Sequence, residues 1–121
     1  MVVYFDTSAF LPLIAEDSDL SPQSREIWGA ATRVTSTTLL YVETVSALAR
    51  INRGMRRSGA LTESQSGELE TYWRKTFPIE IDDDLVSLAA LCAQTFGLRG
   101  YDAVHCAAAA MVNDEGTVAA S

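Results

Sequence analysis

An α/β fold with a central parallel sheet, covered by helices on both faces, is what this sequence predicts, and two observations carry the prediction. Short apolar, β-prone runs alternate along the chain with segments of helical periodicity, the order that builds parallel strands joined by crossover helices. The chain is also 121 residues long, enough for one domain that buries about two-thirds of its unfolded surface. A hydrophobic fraction of 48% and a charged fraction of 21% are those of an ordinary globular protein. There is no internal repeat and no low-complexity segment.

Val2-Val3-Tyr4-Phe5 is a β-branched and aromatic run that stops at Asp6-Thr7-Ser8. It predicts a buried strand with Asp6 at its tip. Asp, Thr and Ser are also the preferred caps of a following helix, so Asp6 has two readings at this point, cap and chemistry. That helix is expected over Ala9–Ala15, before a polar loop through Glu16, Asp17, Ser18 and Asp19. Ser21-Pro22 opens the next helix, because proline's missing N–H costs nothing in the first turn, and Ile27, Trp28 and Ala31 give it an apolar side. Val34–Thr37 is a short β-branched strand.

Thr37 or Thr38 caps a third helix from Leu39 to about Asn52, with Gly54 as its stop signal. Leu39, Val42, Ser46 and Ala49 trace one stripe along it, and Leu40, Glu43, Ala47 and Arg50 a neighbouring one. Glu43 therefore borders the packed face, where a charge without a partner is costly. After a loop at Gly59–Leu61, Thr62 with Gln65 forms a capping-box pattern for a helix carrying Leu69, Tyr72 and Trp73. Phe77–Ile81 alternates apolar and polar residues, and Pro78 places it at a sheet edge or a strand start. Asp82, Asp83 and Asp84 read as cap and dipole complement of a helix from Leu85 to Phe96. Its buried stripe is expected at Leu85, Leu88, Ala89, Cys92 and Phe96, with Gly97 ending it. The last helix, entered through Asp102, is nearly all small residues, suited to close packing on a sheet. Asn113-Asp114-Glu115-Gly116 then turns the chain into a strand beginning at Thr117.

Sixteen acidic against nine basic residues leave a net charge of −7, so the surface as a whole repels a polyanion and any nucleic-acid site must be local. Arg50, Arg53, Arg56 and Arg57 fall together around the end of the third helix. They fit a complement to the helix dipole and a phosphate-contacting patch equally well. Cys92 and Cys106 stand singly in apolar helical patterns, without the close spacing of thiolate metal sites. Buried structural thiols in a reducing cytoplasm are the expectation, with no signal-type leader and no membrane-length apolar run.

Sites in parallel α/β folds lie beyond the carboxyl ends of the strands. Asp6 ends the first strand, Glu43 lies one turn into the helix after the second, and Asp102 lies in the first turn of the helix that leads to the last. All three can converge on one edge. Gathered carboxylates repel one another and resist ionisation. A divalent cation removes that penalty, and oxygen-only ligation selects Mg²⁺ or Mn²⁺, which can activate a water against a phosphodiester.

Asp6-Thr7-Ser8-Ala9 after an apolar strand, Glu43 in Leu40-Tyr41-Val42-Glu43, and Leu98-Arg99-Gly100-Tyr101-Asp102-Ala103-Val104-His105 occur in that order between Met1 and Ser121. Together they resemble the PIN-domain family, and within it the VapC-type toxins of toxin–antitoxin pairs. The resemblance implies a single domain over residues 1–121 with a three-layer α/β/α sandwich. It also implies a Mg²⁺-dependent endoribonuclease, a homodimer, and inhibition by a cognate VapB-type antitoxin that lays Arg or Lys across the carboxylates. Asp6, Glu43 and Asp102 match the family's acidic metal-site positions. Ser8 matches a hydroxyl position beside them, and Thr7 is grouped with it in support. His105, one turn from Asp102, is expected to be a structural histidine hydrogen-bonded under the site rather than a general base. Arg99 joins Arg50 and Arg53 as candidate RNA contacts.

Similar proteins carry a further Asp just after the strand that begins here at Thr117, then another helix and often a final strand. The sequence as given ends at Ser121, so the expectation is a domain short of its last strand and helix and a site one acid short. Asp114 and Glu115 precede that strand, at the opposite edge of the sheet, and do not replace it. Two other readings remain: a catalytically impaired PIN module that serves as a protein-binding partner, and a phosphatase with Asp6 as nucleophile. The second lacks an acid two residues on, where Ser8 stands.

Overall fold

A computed structural model of the chain describes residues 1–15, 19–113 and 118–120. The elements are β1 (Val2–Phe5), α1 (Thr7–Ile14), α2 (Ser21–Ala30), β2 (Arg33–Thr37), α3 (Leu39–Gly54), α4 (Glu63–Arg74), β3 (Thr76–Ile79), α5 (Asp83–Phe96), α6 (Gly100–Asn113) and β4 (Val118–Ala120). The strands are parallel and ordered β3-β2-β1-β4. β1 is thus central, with Val3 opposite Val34 on one side and Val118 on the other. The proline-bearing strand β3 lies at an edge of the described sheet.

Side chains alternate across a strand, and along β1 this sorts the core into two halves. Val3 and Phe5 face a layer of large apolar side chains, among them Phe10 and Leu13 of α1, Leu40 and Leu48 of α3 and Leu69 of α4. Trp28 of α2 closes this half edge-on against Phe5 and Tyr72, at centroid distances of 5.5 and 4.9 Å. Tyr4 faces the opposite layer, built from Leu85, Ala89 and Cys92 of α5 and Ala103, Ala107 and Ala108 of α6. The result is the α/β/α sandwich that the sequence pattern predicts.

Local hydrogen bonds define most helix ends. Thr62 and Gln65 form a complete capping box. The Gln65 amide is also paired both ways with Asn52, at 2.8 and 3.1 Å, which joins the end of α3 to the start of α4. Asp82 caps α5 by accepting from the Leu85 N–H at 2.8 Å, and Gly97 ends it at φ 64°.

Several expectations shift. α1 begins at Thr7 rather than Ala9, because Asp6 itself is the N-cap. Thr38 precedes α3 in helical backbone and makes no side-chain cap bond. Gly54 does not stop α3; the left-handed residue is Arg56, at φ 59°. Around it the Arg57 N–H donates to the Asn52 carbonyl at 2.9 Å and the Arg56 N–H to the Arg53 carbonyl at 3.0 Å. This is the double closure of a Schellman turn, with glycine standing two residues too early to serve it.

The buried face of α3 is Leu40, Thr44, Leu48 and Asn52, not the Leu39-Val42-Ser46-Ala49 stripe, and Val42 is 64% exposed. Thr44 can enter the core because its hydroxyl donates back to the Leu40 carbonyl at 2.7 Å. On α5 the expected stripe holds through Cys92, but among the described residues nothing covers its last turn, where Phe96 is 66% exposed. The loop residues 16–18, the turn at 114–116 and Thr117 lie outside the described residues. Among those described, no helix is long and apolar enough to cross a membrane.

A side chain held at positive φ costs roughly 1–2 kcal/mol, whereas a new glycine loosens the unfolded chain by about 0.5–1 kcal/mol. Arg56→Gly is therefore expected to unfold in urea at an equal or higher midpoint, with a gain of up to about 1 kcal/mol. Gly97→Ala is expected to lose a similar amount, because it puts a side chain into the same backbone region.

Candidate active site

Asp6 follows β1 in extended backbone, at φ −88° and ψ 179°, and the helix starts at the next residue. Its Oδ1 accepts from the Ala9 N–H at 3.0 Å and from the Ser8 hydroxyl at 2.8 Å. The cap and the cavity thus use one carboxylate, and the two bonds hold its orientation. Thr7 and Ser8, expected as caps, instead sit in the first turn of α1.

Glu43 lies in the second turn of α3 and Asp102 in the first turn of α6, both elements starting at the edge where β1 and β2 end. Asp6, Thr7, Ser8, Glu43, Asp102 and His105 line one cavity of about 630 Å³. Leu11, Leu98 and Ala109 supply its apolar wall. The structure therefore gathers the three acids, both hydroxyls and the histidine picked out in the sequence.

His105 is 8% exposed and has both ring nitrogens engaged. Nδ1 lies 2.6 Å from the Tyr4 hydroxyl and Nε2 lies 2.6 Å from Glu43 Oε1. An ionised carboxylate only accepts, so Nε2 carries the hydrogen between them. The Thr7 hydroxyl is 3.5 Å from the same nitrogen. Glu43 consequently has the partner that its place at the edge of the packed face demands. Burial raises the Tyr4 phenol well above its ordinary range, against an opposing pull from the neighbouring Ser36 and Thr37 hydroxyls. The Thr37 hydroxyl lies near the phenol without completing a hydrogen bond, a buried side-chain oxygen left unpartnered among the described residues.

Tyr4 carries no sequence signal for this role, since 101 positions separate it from His105. Only the general need of a buried phenol for a partner points that way. Cys106 also lines the cavity. Burial, and then the Cys92 thiol beside it, push its pKa up, which disfavours the thiolate that nucleophilic or metal chemistry needs. Both cysteines are free thiols.

The donor set suits a hard divalent ion, which keeps several waters and takes one or two carboxylates directly. Yet among the described residues no three His, Cys, Asp or Glu side chains are grouped closely enough to hold a metal ion by themselves. The expected joint ligation by Asp6, Glu43 and Asp102 is thus not a closed cage here. Asp6 is tied to its cap and Glu43 to His105, whereas Asp102 is exposed, so the three stand around a shared space.

The three candidate RNA contacts separate. Arg50 lines a second cavity that shares Thr7 and Glu43 with the first. Arg53 turns away, its guanidinium lying against Gly59 in the loop after α3. Arg99 immediately precedes α6 and lines neither cavity.

Comparison with known proteins places this geometry. The PIN domain family model matches residues 3–115. Two Mycobacterium tuberculosis proteins named Ribonuclease VapC45 (strain CDC 1551 / Oshkosh) and Ribonuclease VapC49 (strain ATCC 25618 / H37Rv) are each 36% identical over 123 aligned positions, covering 98% of this chain and 82% of theirs. The crystal structure of Mycobacterium tuberculosis VapC20, described as a sarcin–ricin loop cleaving toxin, superposes with a TM-score of 0.72 at 15% identity, covering 98% of this chain and 89% of that one. A toxin–antitoxin complex from Klebsiella pneumoniae superposes at 0.67 and 15% identity, over 92% and 80% of the two chains. These two solved structures share the fold.

The raised phenol of Tyr4 gives a pH signature. The folded state keeps this proton at pH values where the unfolded chain, titrating near 10, has lost it. The stability it contributes is complete below about pH 10 and falls as pH rises from there towards the folded value, by up to about 1.4 kcal/mol per pH unit. Urea midpoints measured from pH 8 to 11 should fall more steeply for the parent than for Tyr4→Phe. Parallel curves would show that the phenol is not held this way.

Proposed function

The chain belongs to the PIN-domain family, and from that membership we propose that it is a metal-dependent endoribonuclease toxin of the VapC kind, neutralised by a cognate VapB-type antitoxin. The observation that carries the reading is the convergence of Asp6, Glu43 and Asp102 on one cavity at the carboxyl edge of a parallel sheet. The relatives named as ribonucleases, which align along nearly the whole chain, support it.

Asp6, Glu43 and Asp102 would hold Mg²⁺, or Mn²⁺ in its place, partly through water. The chemistry such an ion would supply there is activation of a water and offset of the charge on a phosphodiester. The chain's own residues prepare that site. The α1 cap orients Asp6, Ser8 steadies the same carboxylate, and His105 pins Glu43 from behind. With both ring nitrogens held at 2.6 Å, His105 serves orientation and not proton abstraction from water. Arg50 is the basic side chain placed to meet RNA near the carboxylates.

The same acidic cavity favours a basic segment of a partner protein, whose Arg or Lys can satisfy the carboxylates and exclude RNA. A second copy of the chain has a suitable surface on α5, which carries no charged residue after Asp84. Val86 and Leu91 stand 52% and 58% exposed on two sides of it and Phe96 66% exposed at its end, apolar side chains of which a second copy would cover Leu91. That no three His, Cys, Asp or Glu side chains among the described residues are grouped closely enough to hold an ion by themselves favours one further reading, a module that binds its partner without cutting RNA.

Single-stranded RNA incubated with the purified protein should be cut with Mg²⁺ or Mn²⁺ and spared with chelator. Asp6→Asn, Glu43→Gln and Asp102→Asn should each lose about 100-fold or more, beyond the roughly 10–100-fold typical of partners one step removed from a metal. Cleavage that survives chelation and is equal in Asp6→Asn would sink the nuclease reading. Tight association with a basic partner protein, without cleavage, would favour the binding module. Light scattering should show a dimer mass that Leu91→Glu converts to a monomer mass.

A further inference from the structure

A smaller cavity, of about 220 Å³, opens beside the carboxylate cavity and shares Thr7 and Glu43 with it. Along one side runs a stripe of α3, namely Glu43, Ser46, Ala47 and Arg50, at the three- and four-residue spacings that place side chains on one helix face. Across from it stands Tyr101. Consecutive helical residues point about 100° apart, so the first turn of α6 delivers Asp102 to the larger cavity and Tyr101 to the smaller.

Tyr101 is 62% exposed, whereas Tyr4 is buried and Tyr41 and Tyr72 are packed against the core. Ser46 and Ala47 are small enough to leave room for a planar ring, and Leu39 and Val42 add apolar flanks. Among the described residues, Arg50 is the one Lys or Arg lining either cavity, and it forms no salt bridge. It stands two helical turns from Glu43, roughly 10 Å along the axis. That is far enough not to neutralise the carboxylates, yet close enough to hold another phosphate of the same strand. In a chain of net charge −7, such a cation supplies the local attraction that a polyanion needs.

We propose that this groove is a subsite for single-stranded RNA, in which the base of a nucleotide flanking the scissile phosphate stacks on Tyr101 while Arg50 holds its phosphate. The proposal rests on the nuclease reading and adds the route by which the strand reaches the carboxylates. Recognition requires an unpaired base, because stacking on an aromatic ring needs a base splayed out of its helix. It tolerates sequence variation, because every base has a face to stack.

The test uses the full chain in chelator, with a short fluorescein-labelled single-stranded oligoribonucleotide of mixed sequence read by fluorescence anisotropy. Tyr101→Ala should weaken binding by about 5- to 100-fold, and Tyr101→Phe should restore it. Arg50→Ala should weaken binding and lower the slope of log affinity against log salt by about 1, a slope that Tyr101→Ala leaves unchanged. With Mg²⁺ restored, Tyr101→Ala should raise KM while kcat stays within a few-fold. Both side chains are exposed, so unfolding midpoints should match the parent and exclude misfolding as the cause. RNA binding unchanged in both variants would overturn the subsite and leave the groove to a protein partner. A fall in kcat without a loss of affinity would overturn it too. A parent that neither binds nor cuts the RNA would remove the nuclease reading itself, whereas a parent that cuts, with variants that bind normally, removes only the subsite.

Discussion

Two hydrogen bonds of 2.6 Å, from Tyr4 to His105 and from His105 to Glu43, tie the central strand to α6 and to α3. The candidate site depends on that connection. Glu43 sits where an unpaired carboxylate would be expelled into water, and His105 is the group that lets it stay. The phenol behind the ring can donate to a neutral imidazole or accept from a charged one, so the chain of bonds survives either state of the histidine. Its position in the low-dielectric interior makes each bond stronger and each loss more costly than at the surface.

Around that chain, the division of the core into two unlike halves shapes the cavity. On one face of the sheet, Phe10, Trp28 and Tyr72 pack edge to face with one another, and Trp28 also with Phe5, and they fix α1, α2 and α4. On the other, the alanines of α6 allow a close approach to the sheet, which brings His105 down onto Tyr4. The large-residue half supplies rigidity under Asp6. The small-residue half supplies proximity for Asp102. Asp6 closes the arrangement by capping α1 with the same carboxylate that it presents to the cavity, so folding of the first helix and preparation of the site are one event.

The electrostatic design is local in an otherwise repulsive molecule. A net charge of −7 keeps polyanions away at long range and favours a basic protein partner, while Arg50, one arginine of the cluster around the end of α3, lines the groove beside the site. The other members of that cluster serve the helix end. Arg53 lies over the following loop, and Arg56 and Arg57 form the turn that closes α3. Adjacency in sequence thus says little about a shared role, because Arg53 leans onto the loop after α3, Arg50 lines the cavity, and residues beyond the helix end face other surroundings.

Much of this was legible in the chain itself, because it is written at short range. The alternation of strands and helices set the parallel sheet, the capping box at Thr62 and the Asp82 cap followed from the affinity of their side chains for nearby N–H groups, and Gly97 marked its own left-handed turn. The positions of Asp6, Glu43 and Asp102 at one edge followed from the rule that sites gather where parallel strands end. Contacts between distant segments were left to the tertiary structure. It alone determined that Thr44 and not Val42 enters the core, that Arg56 takes the turn two residues past Gly54, and that Phe96 stays in water. It alone placed Tyr4 against His105, 101 positions away, and Tyr101 across a groove from Arg50. Local backbone preferences repeat every few residues and can be read along a line. The face a side chain presents, and the partner it meets there, depend on how whole elements pack, which no short stretch of sequence encodes.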